Sequence, residues 1–192
     1  MTTSFSLRTL SRDDILHHLP ALSEILASCV NGGASVSFML PFAPQTAITF
    51  WQRTADSVAA GERIVLAAFD AEERPVGTVQ LITSQPENQP HRADVAKLLV
   101  HQNVRRQGIA QALMSELERI ARRERKTVLV LDTATGSGAE QFYARCGWEK
   151  VGEIPRYALM PDGEMTATSL FYKFLPRRPL LQIALIKTGF HW

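Results

Sequence analysis

Residues 104–114, VRRQGIAQALM, place two arginines and a glycine directly ahead of a run with helical apolar spacing. Ile109, Leu113, Leu117 and Ile120 recur every three or four residues. That predicts a helix over 108–124 with one apolar stripe, and with Glu118 and Arg122 as an i,i+4 pair on its outer side. The first turn of such a helix carries N–H groups without intrahelical partners and a partial positive charge, so a strand-loop-helix junction suits a phosphate. Gly108 lets a diphosphate approach the backbone, and Arg105 and Arg106 add charge. The spacing is neither that of a Walker loop nor that of the three-glycine dinucleotide fingerprint, which argues against NTP hydrolysis and against NAD. On spacing alone, a solvated basic loop ending in a turn glycine fits the same residues equally well.

Working outward, β-rich runs flank the helix at 93–100 and 127–132. A strand, a crossover helix and a second strand make a right-handed unit with parallel strands. Residues 63–69 and 76–83, joined by a turn with Asp70 and Pro75, complete a meander with 93–100. Nearer the N-terminus, 5–10 alternates like a short strand, and Ser11 with Asp14 resembles a capping box. It opens a helical pattern through Ile15, Leu22, Ile25 and Cys29, kinked by Pro20 and stopped at Asn31-Gly32-Gly33. A second helix is expected over 44–60, a short one over 138–146, and two last strands at 148–152 and 166–175 around the turn PDGE. The order β-α-α-β-β-β-α-β-α-β-β is an α/β fold of the mixed α+β kind, a central mixed sheet with helices on both faces. It reads as a single domain over 1–175 followed by a tail, 176–192. In that tail Pro176 and Pro179 break away from the last strand, and residues 180–186 are too apolar to be left in water. It is expected to fold back or to cover a neighbouring subunit in a homodimer, the bland alternative being a frayed terminus.

The 192 residues are 45% hydrophobic and 21% charged, enough for one domain with a substantial core. A formal charge of +2, from 21 basic and 19 acidic residues, demands neither nucleic acid nor an anionic membrane. The basic run Arg119–Lys126 reads as the solvated end of an amphipathic helix, where cations suit the dipole. No apolar window approaches the ~18 residues that span a bilayer. The N-terminus lacks the layout of a secretory signal, and two cysteines, Cys29 and Cys146, fit free thiols in a reducing cytoplasm. His17, His18, His91, His101 and His191 show no metal-ligand spacing with the cysteines, so no metal is expected.

Two ordered motifs carry a resemblance. Arg105, Gly108 and Ala110 follow the pattern Arg/Gln-x-x-Gly-x-Gly/Ala, and AEQFYARCGW further on supplies Ala139, Phe142, Tyr143, Gly147 and Trp148. In these the chain resembles the GNAT family of acetyl-CoA-dependent N-acetyltransferases. NGGASVSFM, RADVAKLLV, LDTATGSGAEQFY and PDGEMTATSLFYKFL are further similar to the tabtoxin-resistance branch of that family, whose members acetylate the amine of a β-lactam amino acid.

The resemblance implies a GNAT-like fold, acetyl-CoA as donor cosubstrate, and a small-molecule amine as acceptor. A protein amine, another amino acid or an aminoglycoside is the alternative acceptor, and a non-catalytic CoA-binding or interaction protein the alternative class. It assigns Leu98, Leu99 and Val100 to pantetheine pairing, and Arg105, Arg106, Gln107, Gly108, Ile109, Ala110 and Gln111 to the diphosphate. Amines with pKa values of ~8 to ~10.4 are protonated at neutrality, so a base or water relay is needed. Asp94, eleven residues before Arg105, takes the position of the family's base carboxylate. The tabtoxin-resistance branch carries Glu there, so the shorter Asp works through a water. Asp132, at the carboxyl end of its strand, is the second carboxylate, holding the ammonium or sharing the base work. Tyr143 corresponds to the tyrosine that protonates the departing thiolate. Acceptor pockets in the family come from the first helices and loops, which puts Ser35, Phe38 and Trp51 forward as walls. One departure is Gly136, where the family often has Asn.

Overall fold

A computed structural model of the chain describes residues 4–176. The tail expectation lies outside these residues, apart from Pro176. One sheet carries seven strands: β1 (Ser6–Leu10), β2 (Arg63–Phe69), β3 (Pro75–Ile82), β4 (Arg92–Val100), β5 (Val128–Ala134), β6 (Glu149–Leu159) and β7 (Met165–Phe174), in the order β1-β2-β3-β4-β5-β7-β6. Only β4 and β5 run parallel, as the crossover through the intervening helix requires. Among the described residues no helix is long and apolar enough to cross a membrane.

The helices are α1 (Arg12–His17), α2 (Leu19–Asn31), α3 (Pro44–Ala59), α4 (Ile109–Arg123) and α5 (Gly138–Arg145). The Ser11 capping box forms as expected: Ser11 Oγ accepts from the Asp14 N–H and the Asp14 carboxylate accepts from the Ser11 N–H. The single kinked helix expected after it is instead two. Pro20 sits in the first turn of α2, where its missing N–H costs nothing, and the chain breaks at His18. Strand β6 also runs past its expected end at Gly152, because after an irregular stretch at 155–157 the chain rejoins β7 through Ala158 and Leu159. An edge strand tolerates Pro155 there, since no ladder partner is lost on the open side.

Two apolar layers enclose the sheet. On one face Leu113, Leu117 and Ile120 of α4 pack on Leu66, Val79, Leu81 and Val95, joined by Tyr143, Trp148 and Phe171. On the other, Leu22, Ile25, Leu26 and Trp51 of α2 and α3 pack on Val65, Ala67 and Phe69. Each fully buried aliphatic contributes ~1.5–3 kcal/mol, so the α4 stripe alone fixes the helix on the sheet. A Cβ on Gly77 would stand 3.1 Å from Ile109 and 3.2 Å from the Leu99 carbonyl, so glycine sets how closely the start of α4 approaches β3 and β4. Glu118 does not lie on the solvent side as expected. Its carboxylate is largely buried, pairing with Lys173 of β7 as well as with Arg122. At the end of the basic run Lys126 is buried too, donating to the carbonyls of Thr83 and Pro90.

Candidate active site

Strand β4 ends in a single 3-10 turn, Gln102–Val104, and the loop that follows reaches α4 through Gly108, whose φ of 78° is the left-handed conformation that favours glycine. No side chain caps α4. The first bond of the helix runs from the Ala112 N–H to the Gly108 carbonyl, leaving the N–H groups of Ile109, Ala110 and Gln111 at the positive end of the dipole. Arg105, Arg106, Gln107 and Gln111 are exposed around this end, while the Ile109 side chain is core and offers the site only its backbone. Arg105 leans back toward α2, where its guanidinium opposes the upward push that burial gives the Cys29 thiol. The loop is tied to the same helix by Gln102, which bonds to Ser28 and crosses Gly32 so closely that a Cβ there would overlap its amide. The first glycine of the NGG stretch is thus a seat for the loop as well as a helix stop.

The second feature is an opening in the sheet. Strands β4 and β5 pair only over Arg92–Val128, Ala93–Leu129 and Asp94–Val130. Beyond Asp94 a bulge deflects β4: its register against β3 shifts between Thr78 and Gln80, and Lys97 adopts a φ of 55°. Leu98, Leu99 and Val100 keep their ladder with β3 through Leu99 and Val100 but have no β5 partner on the inner side. Their backbone groups there are available to a ligand lying in the opening.

Side chains approach the opening from both faces. From the α4 side comes Tyr143, 8% exposed, its ring 6.1 Å from Trp148 and 6.0 Å from Phe171. Burial above all, with smaller electrostatic contributions from Cys146 and Asp132, pushes its phenol up to about 12. Strand alternation puts Asp94 and Asp132 on the other face, and the bulge in β4 brings Lys97, three residues past Asp94, to that same face. One Asp94 oxygen accepts from Arg92 at 2.5 Å and the other from Gln85 at 3.0 Å, and Arg92 closes the ring by donating to Gln85 and Gln89. Asp132 Oδ2 accepts from the Thr168 hydroxyl at 2.7 Å. Where the family often has Asn, Gly136 at φ 79° donates its N–H to Glu140, so the loop before α5 is held from within that helix.

The loop after α2 reaches the carboxylate-bearing face through Ser37, whose hydroxyl accepts from Lys97. The Leu40 N–H donates to the Pro161 carbonyl at 2.9 Å, joining that loop to the β6–β7 turn. Ser35 and Phe38 are half-buried in the loop, with the Phe38 ring 5.2 Å from Phe42 and 5.6 Å from Phe50. Trp51 is elsewhere: it is fully buried between α2 and α3, and its indole N–H donates to the Leu22 carbonyl.

A profile of the acetyltransferase (GNAT) family matches residues 29–148, from α2 through the opening to Trp148. The chain belongs to this family. It is an acyl-CoA-dependent N-acetyltransferase, and the family's donor is acetyl-CoA. Solved structures share the GNAT fold. An N-acetyltransferase from Staphylococcus aureus superposes with a TM-score of 0.72 at 13% identity, over 90% of this chain and 99% of that one. A ribosomal-protein-alanine N-acetyltransferase from Brucella melitensis gives 0.70 at 22%, over 88% and 99%. The protein yncA from Salmonella typhimurium, solved with its cofactor acetyl-CoA, gives 0.72 at 15%, over 92% and 97%. The residues present fit that donor: an uncapped helix start behind a left-handed glycine suits a diphosphate, and the free inner edge of β4 suits an amide-bearing chain. Among the described residues no three His, Cys, Asp or Glu side chains are grouped to hold a metal ion.

Sequence reasoning passed over several groups of this GNAT site. Arg92 and Gln85 hold Asp94, Thr168 orients Asp132, and Lys97, bonded to Ser37, is close enough to Asp132 to feel its charge. Lys97 had one signal, a cation set in the apolar second half of its strand, between Ala96 and Leu98.

Proposed function

We propose that this GNAT enzyme transfers acetyl directly to the amine of a small, amino-acid-like acceptor, with a carboxylate as base and Tyr143 as acid. The observation that carries the reading is the opening between β4 and β5, with the phenol on one face and the two carboxylates on the other. Acetyl-CoA supplies an acetyl group activated as a thioester. The α4 N–H groups, with Arg105 and Arg106, bind its diphosphate, and Leu98–Val100 orient the chain that leads to the thioester. Asp94 receives the amine proton on lone pairs that Arg92 and Gln85 leave open, directly or through a water, while Asp132 holds the ammonium beforehand. Tyr143 keeps its proton at the phenolic oxygen for the leaving sulfur.

The tie from Leu40 to Pro161, between the loop after α2 and the β6–β7 turn, favours a small acceptor over a protein amine, the class named for the Brucella melitensis enzyme. A β-lactam amino acid such as tabtoxinine fits this description, and the four segments similar to the tabtoxin-resistance branch support a role in toxin resistance. Two free thiols, Cys29 and Cys146, fit work in the cytoplasm.

The test is CoA release with a panel of amino acids, tabtoxinine-type lactams, polyamines and peptides. Transfer to amino acids or lactams is expected; turnover with peptides alone would overturn the small-acceptor reading. Changing Arg105 and Arg106 together to Ala should raise the acetyl-CoA Kd more than it lowers kcat, because phosphate contacts act equally on ground and transition states. Calorimetry with no acetyl-CoA binding by the unaltered protein would sink the reading.

A further inference from the structure

The acceptor face holds cations that acetyl transfer to a simple amine does not need. Lys97 projects from the β4 bulge, and its Nζ donates to Ser37 Oγ at 3.0 Å. Both partners have left-handed backbones, φ 55° for Lys97 and 80° for Ser37, conformations that cost non-glycine residues free energy and concentrate at functional sites. Burial pushes the Lys97 pKa down, Asp132 opposes that push, and Arg63 adds to it, so the three groups share one field. Arg63 is held in place by Ser57 on Nε and by Gln80 on Nη1, which leaves Nη2 without a hydrogen-bond partner among the described residues. Gln80 is fully buried on β3 across from Ala96, beside the bulge. Its oxygen must face Arg63, which can only donate, so its amide nitrogen is left as a buried donor without a partner among the described residues.

An ammonium acceptor would be attracted by Asp94 and Asp132 and repelled by Lys97 and Arg63. Their opposition is resolved by a ligand that carries both charges. Lys97 and Asp132 have neutral hydroxyl partners, Ser37 and Thr168, so both charges remain available to a ligand.

We propose that Lys97, backed by Arg63 and Gln80, is the carboxylate subsite of the acceptor pocket, and that it selects zwitterionic α-amino acids over amines lacking the acid. The inference rests on the small-acceptor reading and names the chemistry that pocket recognises. The ammonium lies toward Asp132 and the opening, and the carboxylate toward Lys97 and Ser37.

The test compares each accepted amino acid with its carboxamide, in the unaltered enzyme and in Lys97→Met and Lys97→Arg, with acetyl-CoA affinity and melting temperature as checks on the fold. The unaltered enzyme should prefer the acid, and Lys97→Met should lower kcat/KM for the acid by about 10- to 100-fold, chiefly through KM, so that the preference collapses. Lys97→Arg should restore part of it, which a purely structural lysine would not predict. A preference that is the same in all three proteins overturns the subsite while leaving small-amine transfer standing. Calorimetric titration with N-acetyl amino acids and their carboxamides in the presence of CoA decides the matter without turnover. Weaker binding of the acids in Lys97→Met supports the subsite, and no binding of the acids to the unaltered protein overturns it, whatever amine is acetylated.

Discussion

Tyr143→Phe should lower kcat by about 100-fold or more and leave acetyl-CoA affinity nearly unchanged, because one proton donor is lost while the ring keeps its place. The ring is what packs against Trp148 and Phe171, and phenylalanine preserves that packing. The pH profile separates this from a general loss of activity. With its pKa pushed up to about 12, Tyr143 stays protonated through the neutral and mildly alkaline range, so any limb below about pH 10 belongs to another group and should survive in the variant. The sign for stability follows from the same shift: the native state holds this proton more tightly than the unfolded chain. Its contribution is therefore complete below about pH 10 and is lost as pH rises toward about 12. An unchanged rate in Tyr143→Phe across pH would make a water the acid and overturn the assignment.

How far the sequence could be read depended on whether a feature was local. The apolar stripe of α4 and the Ser11 capping box depend on residues three or four apart, and both are found where the spacing put them. Gly108 was legible as the turn ahead of the helix for the same reason, though its spacing alone fitted a solvated loop as well as a phosphate loop. The break at His18 was not: Pro20 is compatible with either a kink or a first turn, and only the packing of α1 and α2 selects between them. The end of β6 was hidden because 155–157 is irregular and the strand resumes only through its pairing with β7. At the site, single carboxylates could be singled out by their strand positions. The ring of Arg92, Gln85 and Asp94 could not, because a folded loop must first bring Gln85 back over β4. Lys97 was obscured by a long-range cause as well: its bulge exists in the register of β4 against β3, and alternation along one strand carries no trace of it.

Trp51 shows the same ambiguity on a helix, and it yields the largest expected change in stability. An aromatic on the apolar side of α3 can face a pocket or the core, and helical spacing is identical in the two cases. Here the indole is fully buried, its ring 5.1 Å from Phe50 and its N–H 2.9 Å from the Leu22 carbonyl, so it joins α3 to α2. Removing it in Trp51→Ala should cost ~3–5 kcal/mol, the range for large aromatics taken out of a core. Against a total stability of ~5–15 kcal/mol, much of the variant is expected to be unfolded or to melt far below the unaltered protein in a urea titration. Trp51→Phe separates core from pocket more finely. It keeps most of the apolar volume but removes the indole donor, so stability should fall by roughly 1–3 kcal/mol while the acceptor KM of the folded enzyme stays the same. A pocket wall would give the reverse pattern, an acceptor KM that rises at unchanged stability, and that result would move Trp51 back into the acceptor site.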